Sequence, residues 1–112
     1  MEKIKAIEAL AALAHETRLE VFRLLVRQGP AGLPAGGIGS ELDLAPATLS
    51  FHLNTLRHAG LVVPRRAGRQ VFYSVRYESI SELMGFLMEN CCEGHSAACA
   101  FLDGIPMRAG CR

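Results

Sequence analysis

Residues 42–76, LDLAPATLSFHLNTLRHAGLVVPRRAGRQVFYSVR, change their periodicity half-way along, and that change decides the fold. In the first half Leu49, Leu53 and Leu56 recur at i, i+4 and i+7, the spacing of a buried stripe on one helix, while Ala47, Ser50, Asn54 and Arg57 project elsewhere. Pro46 opens this helix, because its missing N–H falls among first-turn donors that have no intrahelical partner anyway, and Gly60 closes it. From Leu61 the period drops to two: Leu61-Val62-Val63, then Arg65-Arg66-Ala67-Gly68-Arg69, then Val71, Tyr73 and Val75 alternating with Phe72, Ser74 and Arg76. This predicts a β-hairpin with a basic tip.

Upstream of this stretch a short helix is expected through Ile38, Leu42 and Leu44, after a loop made by Gly32, Pro34, Gly36 and Gly37. Two helices joined by a short turn result. Further back, Lys3 to Ala14 carries Ile4, Ile7, Leu10, Ala11 and Ala14 at helical spacing, and a second helix with Thr17 as its N-cap carries Leu19, Phe22, Leu25 and Val26 before Gly29-Pro30 stops it. Downstream, Ile80, Leu83, Met84, Leu87 and Met88 restore the helical period as far as Asn90, after which small, polar and cysteine residues dominate. The expected architecture is mainly α with a β-hairpin, a winged helix-turn-helix, with the fold over residues 1–90 and a cysteine-bearing tail over 91–112.

A chain of 112 residues has room for one small core. No apolar run approaches the roughly 18 residues that span a bilayer. Met1 to Leu10 mixes charged with apolar residues, unlike the apolar centre of a signal peptide, so no membrane association and a cytoplasmic location are expected.

The net charge of +1 conceals a local asymmetry: no Asp or Glu lies between Asp43 and Glu78, whereas Arg57, Arg65, Arg66, Arg69 and Arg76 do. A solvated arginine-rich hairpin is the bland account; a positive face offered to a polyanion is the functional one. In a winged helix-turn-helix the second helix of the pair lies in the major groove of DNA, and the hairpin reaches along the backbone or into the adjoining minor groove. That geometry nominates Thr48, Ser50, Phe51, His52, Asn54 and Thr55 in the groove, and Arg65, Arg66, Arg69 and Gln70 on the wing. For Phe51 contact with a thymine methyl competes with a place in the core.

Ala9 to Val26, ALAALAHETRLEVFRLLV, and Leu42 to Val62, LDLAPATLSFHLNTLRHAGLV, resemble the ArsR/SmtB family of metal-sensing repressors over roughly residues 5–90. The resemblance rests on Thr17-Arg18-Leu19, on Ser50 and His52-Leu53, and on Leu56 with Ala59-Gly60-Leu61-Val62. It implies a homodimer whose first and last helices pack together, bound to an inverted-repeat operator in double-stranded DNA and released by an inducer. It also implies a DNA contact for His52, although a histidine beside a buried stripe is also met as a hydrogen-bonded structural residue.

Cys91, Cys92, Cys99 and Cys111 all lie in the last quarter of the chain, a clustering that favours a ligand or redox site over structural disulfides. Two inducer patterns of the family are absent: Leu44 to Phe51 contains no cysteine, and Glu78 to Asn90 no histidine. The adjacent pair Cys91-Cys92 followed by Cys99 resembles the arsenite-responsive repressors with a vicinal pair at the end of the last helix. Soft thiolates suit thiophilic centres, and As(III) or Sb(III) takes three of them in a pyramid. The expected metalloid ligands are therefore Cys91, Cys92 and Cys99, with Cys111 dispensable. Zinc, with His95 or Cys111 as a fourth ligand, is disfavoured because zinc sites usually space their cysteines by two or more residues. A redox switch through Cys99 and a small thiol-dependent metalloid reductase also compete with the metalloid sensor; no base, oxyanion pocket or phosphate loop accompanies the cysteines to support catalysis.

Overall fold

The computed structural model describes residues 1–89. The expected tail, including Cys91, Cys92, Cys99 and Cys111, lies outside the described residues, as does Asn90. The order of elements is α1 (Lys3–Leu13), α2 (Glu16–Gln28), a 3-10 turn (Gly29–Ala31), β1 (Leu33–Pro34), α3 (Ala35–Leu42), α4 (Pro46–His58), β2 (Val62–Ala67), β3 (Gln70–Val75) and α5 (Tyr77–Leu87). This is a winged helix-turn-helix: α3 and α4 form the helix pair, and β2 with β3 the wing.

The stripe on α4 is buried as its spacing requires. Leu49, Leu53 and Leu56 pack with Val21, Leu24 and Leu25 of α2, Ile38 of α3, and Leu61 and Val62 at the start of the hairpin. The hairpin pairs Val62 with Val75 through to Ala67 with Gln70, and Gly68 turns it at φ 64°, matching the glycine-first pattern of a two-residue type II′ turn.

Four local expectations are corrected. Helix α2 begins at Glu16 and is capped by His15, not Thr17: the backbone is extended at His15 and its Nδ1 accepts the Thr17 N–H at 3.1 Å. The segment expected as a loop is a strand and a helix. Leu33–Pro34 pairs with Tyr73 and Phe72 on the free edge of the wing, giving an antiparallel sheet in the order β1-β3-β2. Gly36 and Gly37 then fall inside α3, and tertiary packing explains why a glycine-rich helix forms. A Cβ on Gly39 would stand 3.2 Å from the Leu44 carbonyl oxygen, so the missing side chain lets α3 approach the turn into α4. At Gly39 the cost of a helical glycine, about 1 kcal/mol against alanine, is offset by that approach.

The fourth correction concerns α1. Its inward face is Ala6, Ala9 and Ala12, whereas Ile4 and Ile7, expected to form its stripe, are 67% and 57% exposed, and Leu10 is exposed as well. Small side chains allow α1 to lie close against α2, α4 and α5, and its large aliphatic residues turn outwards. In α5 only Leu83 is fully buried; Ile80 and Met84 are half-buried and Leu87 is 50% exposed.

Gly32 is the glycine that cannot be replaced. It has φ 74°, and an added Cβ would run into the Tyr73 carbonyl of the adjoining strand. Gly32→Ala should destabilise the protein by about 2 kcal/mol or more, whereas Gly36→Ala, in a helix with open space around it, should stabilise it by about 0.5–1 kcal/mol. Urea denaturation at one fixed protein concentration checks both signs.

Candidate nucleic-acid interface

At 3.6 residues per turn the burial of Leu49, His52, Leu53 and Leu56 leaves the rest of α4 as a continuous outward arc. Thr48, Ser50, Phe51 and Asn54 lie on it, with Arg57 and His58 in the last turn. Phe51 is 63% exposed, so it does not tuck into the core. Thr55 is half-buried, and its hydroxyl donates to the Phe51 carbonyl at 3.1 Å, which occupies that donor within the helix.

His52 does not join this arc. It is 6% exposed, the one buried polar side chain among the described residues, and its ring packs against that of His15 at 4.8 Å between centroids. Its Nδ1 lies 3.4 Å from Nη1 of Arg18. The expectation of a groove contact for His52 is corrected on this geometry: its position on α4 points to the core side, towards the junction of α1 and α2. Burial, then the neighbouring His15 and Arg18, hold its imidazole below the ordinary value.

The wing residues Arg65, Arg66, Arg69 and Gln70 are all exposed, but they are not equivalent. Arg65 sits opposite Phe72 in the register; its guanidinium stands 5.2 Å from that ring's centroid and donates to the Ala31 carbonyl at 3.1 Å. Arg65 therefore ties the wing to the 3-10 turn. Arg66, opposite Val71, projects from the other face of the ribbon, and Arg69 and Gln70 occupy the tip. Arg76, at the foot of the hairpin, makes a 3.7 Å contact with Glu78, and both side chains are well exposed, so the pair adds little stability. The arc of α4 and the arginines of the wing form a surface free of acidic residues from Leu44 to Tyr77.

A helix-turn-helix domain model matches residues 13–65. Over 97 residues the chain is 33% identical to the transcriptional activator HlyU of Vibrio cholerae, covering 85% of this chain and 87% of that protein. The chain belongs to the ArsR/SmtB-like family of helix-turn-helix transcriptional regulators. Solved structures agree. HlyU from Vibrio cholerae N16961 superposes with a TM-score of 0.63 at 35% identity, covering 79% of this chain and 95% of its own. A second structure of that protein, described as reduced, has a TM-score of 0.59 at 32% identity over 76% of this chain and 85% of its own. The winged helix-turn-helix domain of Mb0332 from Mycobacterium bovis, described as homodimeric and a possible ArsR-family regulator, gives 0.63 at 27% identity over 75% of each chain. This ArsR/SmtB-like regulator is thus a DNA-binding protein, and its relatives are transcriptional regulators and not enzymes, which sets aside the metalloid-reductase reading.

Among the described residues no three His, Cys, Asp or Glu side chains come together to hold a metal ion, and no helix is long and apolar enough to cross a membrane. Sequence reasoning missed the roles of His15 and Arg18. The signal was present, since Arg18 is the centre of the Thr-Arg-Leu motif, but nothing in local spacing connects it with a helix so far along the chain.

The lowered proton affinity of His52 has a sign. The unfolded chain, with an imidazole near pH 6.5, binds a proton that the folded state resists, so stability is full above about pH 6.5 and falls as the pH drops through the lowered value. Urea denaturation between about pH 8 and pH 5 should show that loss, and His52→Asn, which cannot titrate, should flatten it. Equal pH slopes for the two proteins would assign the effect elsewhere.

Proposed function

We propose that the chain is a homodimeric, cytoplasmic repressor that binds an inverted-repeat operator and leaves it when a trivalent metalloid, As(III) or Sb(III), binds Cys91, Cys92 and Cys99. The observation that carries the DNA half is the juxtaposition of an outward arc on α4 with an acid-free arginine wing. Thr48, Ser50, Phe51 and Asn54 meet base edges in the major groove, with Thr55 at the margin of the contact. Arg66, Arg69 and Gln70 follow the adjoining backbone, and Arg65 contributes both charge and the anchoring of the wing.

The dimer is supported by Ile4, Ile7 and Leu10 on α1 and Leu87 on α5, large apolar side chains left exposed on helices that touch each other. Pairing two copies through α1 and α5 covers these residues and sets two recognition helices one DNA turn apart, as a palindromic site demands. Mb0332, described as homodimeric, has this fold.

The metalloid half rests on donor chemistry. Three thiolates within nine residues, two of them adjacent, suit a pyramidal centre better than a tetrahedral one. Binding displaces thiol protons and so weakens as the pH falls. A second reading, oxidation of Cys99 with one of the pair, is favoured by the relative whose structure is described as reduced.

Mobility shifts on DNA from directly upstream of the chain's own coding sequence test both halves. Ser50→Ala and Asn54→Ala should each cost about 1–3 kcal/mol of specific binding, whereas Arg66→Ala or Arg69→Ala should lower the salt slope by about one. Arsenite or antimonite should release the wild type in the presence of reductant, and Cys91→Ser, Cys92→Ser and Cys99→Ser should each hold the complex. Release by oxidant alone would favour the redox reading, and serine variants that respond as wild type would remove the site.

A further inference from the structure

We propose that Arg18 is a positioning residue that locks the recognition helix to the first helix through His52. Its Nε donates to the carbonyl of Ala12, in the last turn of α1, at 2.6 Å, and its Nη1 reaches Nδ1 of His52 in the middle of α4 at 3.4 Å. Both anchor points are buried. Arg18 itself is half-buried, yet among the described residues the one pairing of a cation with a carboxylate is Arg76 with Glu78. A guanidinium withdrawn from water is normally matched to an acid. Here two donors of its rigid planar fork are directed at two acceptors that belong to different helices.

The arrangement fixes its own protonation. Arginine only donates, so Nδ1 of His52 is the acceptor, which leaves the ring neutral with its hydrogen on Nε2. His15 completes the cluster from the α1–α2 junction. It packs on the His52 ring and, through its bond to the Thr17 N–H, sets the first turn of α2 from which Arg18 extends. Among the described residues no carboxylate pairs with Arg18, and the charged or titratable neighbours that perturb His52 are His15 and Arg18.

The consequence concerns sequence discrimination. Phe51 stands 5.4 Å from His52 ring to ring, and Ser50 and Asn54 lie within two residues of it, so a shift of His52 moves the whole reading face. Base-edge contacts depend on fixed geometry, whereas phosphate contacts made by flexible arginines tolerate displacement. If the end of α1 moves relative to α4, the fork cannot hold both acceptors. The position of a dimerisation helix is thereby communicated to the helix that reads DNA. This inference rests on α4 being the recognition helix.

The test uses a duplex selected from a random pool by the wild-type protein and a scrambled duplex of equal length, with affinity for each measured by fluorescence anisotropy across a salt series. Arg18→Lys keeps the charge but cannot bridge both acceptors, so the specific-to-scrambled ratio should fall about tenfold, the equivalent of one charge-assisted hydrogen bond, with scrambled affinity and salt slope unchanged. His52→Leu should fall alike. His52→Asn, which keeps an acceptor near the Nδ1 position, should stay within about twofold of wild type. A wild-type ratio in Arg18→Lys, a change of its salt slope, or a His52→Asn as poor as His52→Leu would each overturn the positioning role. If Ser50→Ala and Asn54→Ala lower the ratio while Arg18→Lys does not, this role alone fails; if those two also leave it unchanged, the assignment of α4 fails.

Discussion

Burial of one stripe of α4 against α1, α2, α3 and the root of the wing is the constraint on which the rest of the structure depends. Leu49, Leu53 and Leu56 contribute about 2 kcal/mol each by leaving water. The same burial fixes the rotation of the helix about its axis. Once those three face inwards, Ser50, Phe51 and Asn54 must face out, and His52 is carried to the inner margin, where Arg18 meets it. Stability and the direction of the reading face are therefore set by the same side chains.

The same logic applied to α1 leaves a protomer with an unfinished surface. An alanine face brings the helix close to its neighbours, and the isoleucines that would serve as its core residues in an isolated domain point to solvent. Aliphatic residues on successive turns of one helix, beside a further apolar residue on the helix it touches, are what a self-associating surface requires. Arg18 lies behind that surface, bonded to the end of α1 on one side and to α4 on the other. An input that alters how two copies pack through α1 and α5 has a short physical route to the DNA-reading face. The coupling such a route must carry is modest, about 1–3 kcal/mol in typical regulators, and it is reciprocal between inducer and operator.

Much of this was legible in the sequence because it is local. The leucine stripe, Pro46 and Gly60 as helix limits, and the switch to a period of two around Gly68 each depend on residues close together in the chain. What escaped is non-local. The glycines at 36 and 37 read as a loop because the packing that makes this segment helical, the approach of α3 at Gly39 to the turn before α4, is not local to them. The β1 strand exists only because β3 supplies a partner edge. The alanine face of α1 and the inward turn of His52 depend on what lies across the core, as does the diversion of Arg65 to the Ala31 carbonyl. Thr17 reads as a cap by residue type, yet His15 two positions earlier takes that place.

The central claim is that two copies of α4 enter the major groove on one face of the DNA. Methylation interference at guanine N7, an atom exposed only in the major groove, tests it most directly on a duplex selected by the wild-type protein. Two patches of interference are expected, with centres about one helical turn, or a multiple of it, apart and related by two-fold symmetry. A single patch, or undiminished binding to duplex methylated at every guanine N7 while minor-groove modification abolishes it, would contradict the claim.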